Sequence, residues 1–396
     1  MKQFWGYVRE DGKVGVRNYV AVIPAVFCAN TVSQKIASQV RNAVAFPHPL
    51  GCGYPGPDQA LLNQILMQLA RHPNFGAVLF VGLGCERVRA RELAASLGPI
   101  GKPVEVISIQ DEGDSLKAVE TGSRIASRMG LELSHQSRTL VGMENLVLGV
   151  KCGGTDATSG IAANPALGVA ADHLVSLSGT VLLTEITELL GTEHIMARRA
   201  VNPTVAEKIT HTVKLNTQIL QLMTSNPAFN QWDALISPGN AEGGVTNIVE
   251  KALGGLKKAG SAPFQDVVDY AASPTGHGLY LMDGPGHDGE STTGLVCAGA
   301  QIVVFTTGRG TPAGFPGVPV IKVTGNSALY EKMKANIDFN AGPVIDKGVP
   351  ITEVGTSLFN AVNGVASGAL VKAEMLGHEE LFCISRIVSK AMYCLG

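Results

Sequence analysis

The stretch Lys151-Cys152-Gly153-Gly154-Thr155-Asp156-Ala157-Thr158-Ser159-Gly160, with Ala163-Asn164-Pro165 behind it, combines a thiol, a carboxylate, two adjacent glycines and three hydroxyls. Residues of these types on so flexible a backbone can hold a metal ion or an anionic ligand. A tight turn with Asp or Ser capping the next helix explains one polar residue. It does not explain a cysteine beside two glycines. Four other segments share this density of reactive groups. They are Pro47-His48-Pro49-Leu50-Gly51-Cys52-Gly53, Gly82-Leu83-Gly84-Cys85-Glu86, Thr184 to His194 with Glu185, Glu188 and Glu193, and Asp283-Gly284-Pro285-Gly286-His287-Asp288-Gly289-Glu290. A fifth, Thr306-Thr307-Gly308-Arg309-Gly310-Thr311-Pro312, suits a carboxylate, because a guanidinium matches it bidentately. No Gly-Lys-Ser/Thr ending makes it a nucleotide loop. The glutamates at 188 and 193 also fit a solvated helix start, whereas Glu185 stands nearest the strand end.

Each of these segments follows a short apolar run that reads as a buried strand: residues 44–46, 77–81, 146–150, 180–183, 278–282 and 300–305. Further runs at 19–26, 104–109 and 318–323 complete the set. Helical patterns fall between them, at 30–43, 58–71, 88–97, 114–129, 160–177, 195–222 and 246–253, with packing helices at 354–370 and 379–392. Strands alternating with helices specify α/β layers around parallel sheets. The reactive segments then lie at strand carboxyl ends, where open α/β sheets bind ligands. Asp11-Gly12 between alternating residues predicts a hairpin ribbon over residues 1–17. A Rossmann-like or flavodoxin-like parallel-sheet domain is expected over 18–135, and a larger α/β catalytic domain over 140–396. The polar residues 131–144 read as the linker.

The chain has 396 residues, formal net charge −2 and few charged groups, which argues against nucleic acid or a membrane surface as partner. A small molecule and a homo-oligomer are expected instead. No apolar run spans a bilayer and no signal peptide is evident, so a cytoplasmic protein is expected. Seven scattered cysteines suit thiols or metal ligands better than disulfides. The glycine loops do not complete Gly-x-Gly-x-x-Gly, and no acidic residue ends the next strand, which argues against NAD.

Taken in series, Asp11-Gly-Lys-Val-Gly-Val-Arg17-Asn18, His48 with Gly51-Cys52-Gly53, Gly84-Cys85-Glu86, and Cys152-Gly-Gly-Thr-Asp156 through Asn164-Pro165 resemble the altronate and galactarate dehydratase family. So do Asp283-Gly-Pro-Gly, Phe305-Thr-Thr-Gly-Arg309-Gly, and Asp338-Phe-Asn340-Ala-Gly. The resemblance covers nearly the whole chain. It implies a lyase that removes water from a sugar acid to give a 2-keto-3-deoxy acid with ferrous iron. Members often carry a small domain ahead of the ribbon, so a small partner subunit is an expected source of it. Gly191-Thr-Glu-His194 also resembles the large subunit of sulfolactate sulfo-lyase, which expels sulfite. A non-catalytic subunit that binds sugar acids is a further alternative.

Elimination needs a base for the Cα proton, a cation for the carboxylate and an acid for the departing oxygen. The expected metal ligands are drawn from Cys52, Cys85, Cys152, Glu185 and Asp283. They would hold Fe(2+), with Mn(2+) or a [4Fe-4S] cluster on the three thiols as alternatives. His48, His287 and Asp156 are the expected catalytic groups. Arg17, Asn164, Arg309, Lys322 and Asn340 are the expected substrate-binding groups.

Overall fold

The computed structural model describes residues 2–53, 56–224, 236 and 238–384. Its strands are β1 (Gln3–Val8), β2 (Val14–Gly15), β3 (Tyr19–Pro24), β4 (Ala43–Ala45), β5 (Phe75–Gly82), β6 (Val104–Ser108), β7 (Thr139–Gly142) and β8 (Val147–Cys152). They continue with β9 (Thr180–Leu183), β10 (Phe264–Val268), β11 (Gly278–Met282), β12 (Ile302–Thr306), β13 (Val320–Thr324) and β14 (Phe339–Asn340). Two parallel sheets result, a four-stranded one in the order β4-β3-β5-β6 and a seven-stranded one in the order β10-β11-β9-β8-β12-β13-β14. The α/β class expected from the alternating pattern is therefore the observed one. The strands are buried on both faces by helices, which is why they read as unbroken apolar runs.

In the larger sheet the chain leaves β8 toward β9 on one side and leaves β12 toward β13 on the other. The adjacent carboxyl ends of β8 and β12 thus form a switch point, with a crevice between the connections. Two backbone hydrogen bonds hold it together, from Gly153 N to Thr306 O at 3.0 Å and from Gly308 N to Gly154 O at 2.7 Å.

The expected Asp-Gly ribbon is present as β1 and β2, and β1 also pairs antiparallel with β7. Residues 131–144 hold the end of the helix Ser115–Ser134 and this edge strand. Two elements escaped the apolar pattern. Strand β10 lies in a polar stretch, and the helix Asp288–Cys297 is built of Ser, Thr and Gly yet is almost wholly buried. Small residues let that helix lie close to its neighbours, since a side chain on Gly294 would collide with Tyr270. Of the expected tail helix at 379–392, residues 379–384 are not helical and the rest lies outside the described residues.

The two sheets share one apolar cluster that includes Ile23, Phe46 and Phe80 from the smaller and Met282, Val303 and Phe305 from the larger. They meet at their amino ends, where Asn74 Nδ2 donates to Gln301 O at 3.0 Å and His72 Nε2 donates to Ala300 O at 3.1 Å. Arg17 completes the seam. Its guanidinium is buried and paired bidentately with Glu374 (2.7 and 2.8 Å), and it donates to the carbonyls of Val365 and Ala369. This corrects the expectation that Arg17 binds substrate: it ties the ribbon to the C-terminal helices.

Removing one member of a buried, hydrogen-bonded pair leaves an uncompensated charge and costs about 3–5 kcal/mol. Arg17→Ala is therefore expected to lose stability of that order in urea denaturation, with the KM of the folded fraction unchanged. A raised KM at unchanged stability would return Arg17 to the substrate site.

Candidate functional site

Strand β8 delivers Lys151 and Cys152, and strand β9 delivers Glu185 and the short helical turn Ile186–Glu188. Glu185 adopts φ 71° and ψ 53°, a left-handed conformation that a non-glycine residue keeps only when its surroundings hold it there. They do. Its carboxylate is fully buried and salt-bridged to Lys151 and to Lys258, the latter at 2.8 Å, and it accepts from Cys152 N at 3.2 Å. Lys151 also pairs with Asp288 at 2.8 Å, and Lys251 pairs with Glu188 at 2.6 Å. Three ammonium groups face three carboxylates in a setting where an unpaired charge would be severely penalised.

Burial opposes every charge here, and proximity decides the outcome. Asp288 and Glu185 hold Lys151 well above the ordinary lysine range despite its burial. Lys258 is likewise raised, against burial, by Cys152, Glu185 and Glu188, and Glu188 is lowered, against burial, by Lys251. Burial and then Glu185 push the Cys152 thiol up to about 12. Its sulfur lies 3.0 Å from Lys258 Nζ and 3.2 Å from Glu188 Oε2.

Among the described residues, Cys152, Glu185 and Glu188 form the one group of three potential metal donors whose ligand atoms lie within 4.8 Å of one another. One thiol and two carboxylates suit a ferrous ion by donor type. Lys258 already touches two of the three donors, and Lys151 and Lys251 pair with the carboxylates, so an ion held here would displace ammonium groups. By donor type alone the group is one that iron accepts; it includes Glu188, and the expected Asp283, Cys52 and Cys85 lie outside it. Asp283 accepts from Asn216 Nδ2 at 3.1 Å instead. Cys52 and Cys85 are exposed, in loops at the carboxyl edge of the smaller sheet.

Several expected catalytic and binding residues are buried or hydrogen-bonded within the protein. His48 is buried, with Nε2 donating to Pro24 O at 2.8 Å and Nδ1 accepting from Leu50 N at 3.2 Å, so both ring nitrogens are committed. Asp156 caps its own turn, accepting from Thr158 Oγ1, Ser159 N and Ser159 Oγ at 2.7–2.9 Å. Asn340 binds Ser327 and Gly342 N. Asn164 joins Thr306 Oγ1 at 2.6 Å to Gly254 O at 3.1 Å, which fixes the crevice wall. Lys322 is buried and donates to Ala313 O. Glu86 closes its own loop, accepting from Leu83 N and Gly84 N.

Two expectations remain at the crevice. Arg309 is half-exposed beside Gly154 and pairs with the exposed Glu242 at 2.7 Å. His287 is half-exposed and bound through Nδ1 to Glu290, whose carboxylate raises its pKa. Lys251 and Lys258, which the sequence analysis passed over, are seven positions apart, two helical turns, on the face that also buries Ala252 and Gly255. Lysines on an apolar stripe were the available signal. A cavity of about 500 Å3 lies at the amino ends of the strands and is lined by Lys13, Arg71, His72, Glu144, Thr180 and Gln301. The fold rule and the reactive groups both place the chemistry at the opposite ends.

Residues 143–389 match the family described as D-galactarate/altronate dehydratase, C-terminal, and residues 6–134 match the second domain of D-galactarate dehydratase/altronate hydrolase. The altronate dehydratase of Bacillus subtilis is 36% identical over 395 residues, spanning 96% of this chain and 77% of that protein. The galactarate dehydratase (L-threo-forming) of Escherichia coli is 34% identical, spanning 92% of this chain and 73% of that protein. The (2R)-sulfolactate sulfo-lyase subunit beta of Chromohalobacter salexigens is 33% identical, spanning 98% and 99%. Among the described residues, no helix is long and apolar enough to cross a membrane.

Burial lowers His48 from 6.5 to about 4. The unfolded chain therefore binds this proton near pH 6.5 and the folded one only near pH 4, so the fold is unaffected above 6.5 and loses stability as pH falls toward 4. The loss amounts to about 3 kcal/mol at 1.36 kcal/mol per pH unit. His72, lowered to about 3, acts in the same sense in both proteins. The stability gap between wild type and His48→Gln is expected to shrink by about 3 kcal/mol between pH 7 and pH 4 in urea titrations. A gap independent of pH would mean that His48 is not a buried neutral imidazole.

Proposed function

We propose, since this chain belongs to the D-galactarate/altronate dehydratase family and is thus a lyase of sugar acids, that it converts an aldonate or aldarate to a 2-keto-3-deoxy acid with ferrous iron. The observation that carries this reading is the switch-point crevice, where the buried cluster of Cys152, Glu185 and Glu188 meets a loop bearing a half-exposed arginine. Arg309 would take the substrate carboxylate in exchange for Glu242, since an exposed ion pair is worth only about 0–1 kcal/mol and is readily given up. Lys151 stays charged through Asp288 and Glu185 and so favours negative charge developing on the substrate.

His287 is the acid for the departing oxygen. Its Nδ1 is committed to Glu290, so the proton leaves from Nε2. Cys152, Glu185 and Glu188 would hold the ion, which when bound supplies Lewis-acid polarisation. Loss of sulfite from a sulfonated hydroxy acid is a second reading, favoured by the 33% identity to a sulfo-lyase subunit along 98% of this chain. That relative's name also makes a partner subunit a reasonable expectation.

Purified protein is expected to release a keto acid from altronate or galactarate, to lose this activity to a chelator and to regain it with ferrous iron. Release that survives metal removal would discard the ion and leave the elimination standing. Sulfite release from sulfolactate without any turnover of aldonates would select the second reading. Arg309→Ala is expected to raise KM by roughly 10- to 100-fold, the worth of a charge-assisted hydrogen bond. An unchanged KM would remove Arg309 from the site.

A further inference from the structure

With His48 committed to the backbone, the Cα proton lacks an acceptor, and the register of the larger sheet supplies one. Lys151 on β8, Phe305 on β12 and Lys322 on β13 are direct neighbours across the strands, so their side chains leave the sheet on the same face. The two lysine nitrogens lie 5.7 and 4.9 Å from the centre of the Phe305 ring. Gly153, on the crevice loop, sits where a Cβ would come within 2.5 Å of that ring. The lysines therefore flank the floor beneath the loop.

Their surroundings differ. Lys151 is held by Glu185 and Asp288, whereas Lys322 donates to the Ala313 carbonyl, and among the described residues no carboxylate oxygen pairs with its nitrogen. The charged groups that face it are Asp338 at the start of the β14 turn, Asp288 on the buried helix, Glu380 on the tail and Lys151 across the ring. Burial outweighs the three carboxylates and brings the amine down to about 7. Two like groups with opposite surroundings are the arrangement by which one fold supplies both a base and a fixed cation.

We propose that Lys322 is the general base that removes the Cα proton, an assignment that rests on the dehydratase reading. The Lys322 lone pair takes the proton, and the Cα–H electron pair moves toward the carboxylate, giving an enediolate. As that charge returns to form the Cα–Cβ double bond, the Cβ–O bond breaks and His287 protonates the oxygen, releasing water. The enol tautomerises to the keto acid, and solvent resets both side chains. Ala313, which holds the amine, belongs to the same β12–β13 connection as Arg309.

The test uses the iron-loaded wild-type chain with Lys322→Ala and Lys322→Met, the second chosen because an apolar side chain of similar length fills the buried space. Both variants are expected to lose about 10²- to 10⁴-fold in kcat, with KM changed only a few-fold. The acidic limb of kcat/KM near pH 7 should disappear with them. Methylamine or ethylamine should restore turnover to Lys322→Ala in proportion to amine basicity, which a structural role would not produce. Either variant turning over at the wild-type rate, or a folded Lys322→Ala that no amine rescues, would overturn the assignment. A wild-type chain inactive on every aldonate and aldarate would instead remove the dehydratase reading beneath it.

Discussion

Mutual compensation of buried charge is the constraint on which this structure depends. Lys151, Lys251 and Lys258 are each largely or wholly buried, and none could remain charged there without Glu185, Glu188 and Asp288 close by. The carboxylates depend on the lysines in the same way. The cost of separating any pair explains why Glu185 tolerates a left-handed backbone, because relaxing it would withdraw a carboxylate from two ammonium groups at once.

The sheet makes that compensation possible. Strands β8 and β9 set Lys151 and Glu185 at neighbouring carboxyl ends, and the helix Ile248–Leu256, with its one-turn extension, carries Lys251 and Lys258 to them on a single face. The same edge holds Arg309, because the chain turns away from β8 and β12 in opposite directions. A cluster of fixed charge thus borders an exposed arginine that can exchange partners. Rigid charge beside an exchangeable one suits a reaction in which an anionic substrate gains further negative charge before it loses a leaving group.

How much of the site was legible varies residue by residue. Cys152, Glu185, Arg309 and His287 stood out because glycine-rich loops at strand ends announce themselves in a sequence. His48, Asp156 and Asn340 stood out for the same reason and hydrogen-bond backbone or side-chain groups of their own or adjoining loops. A reactive residue in a tight loop and a loop-closing residue look alike until the partners are seen. Glu188 was legible as a helix-start glutamate, which it also is; only its approach to Lys251 gives it another role.

The chain by itself determined the α/β class, most of the parallel strands and the glycine loops at their ends, because those follow from local periodicity and backbone freedom. The seam at Arg17, the buried helix of Ser, Thr and Gly, and the gathering of three lysines around one thiol depended on partners tens to hundreds of positions away. Whether a side chain is a ligand, a cap or a counter-ion depends on which distant group excludes water from it, and only the tertiary structure decides that.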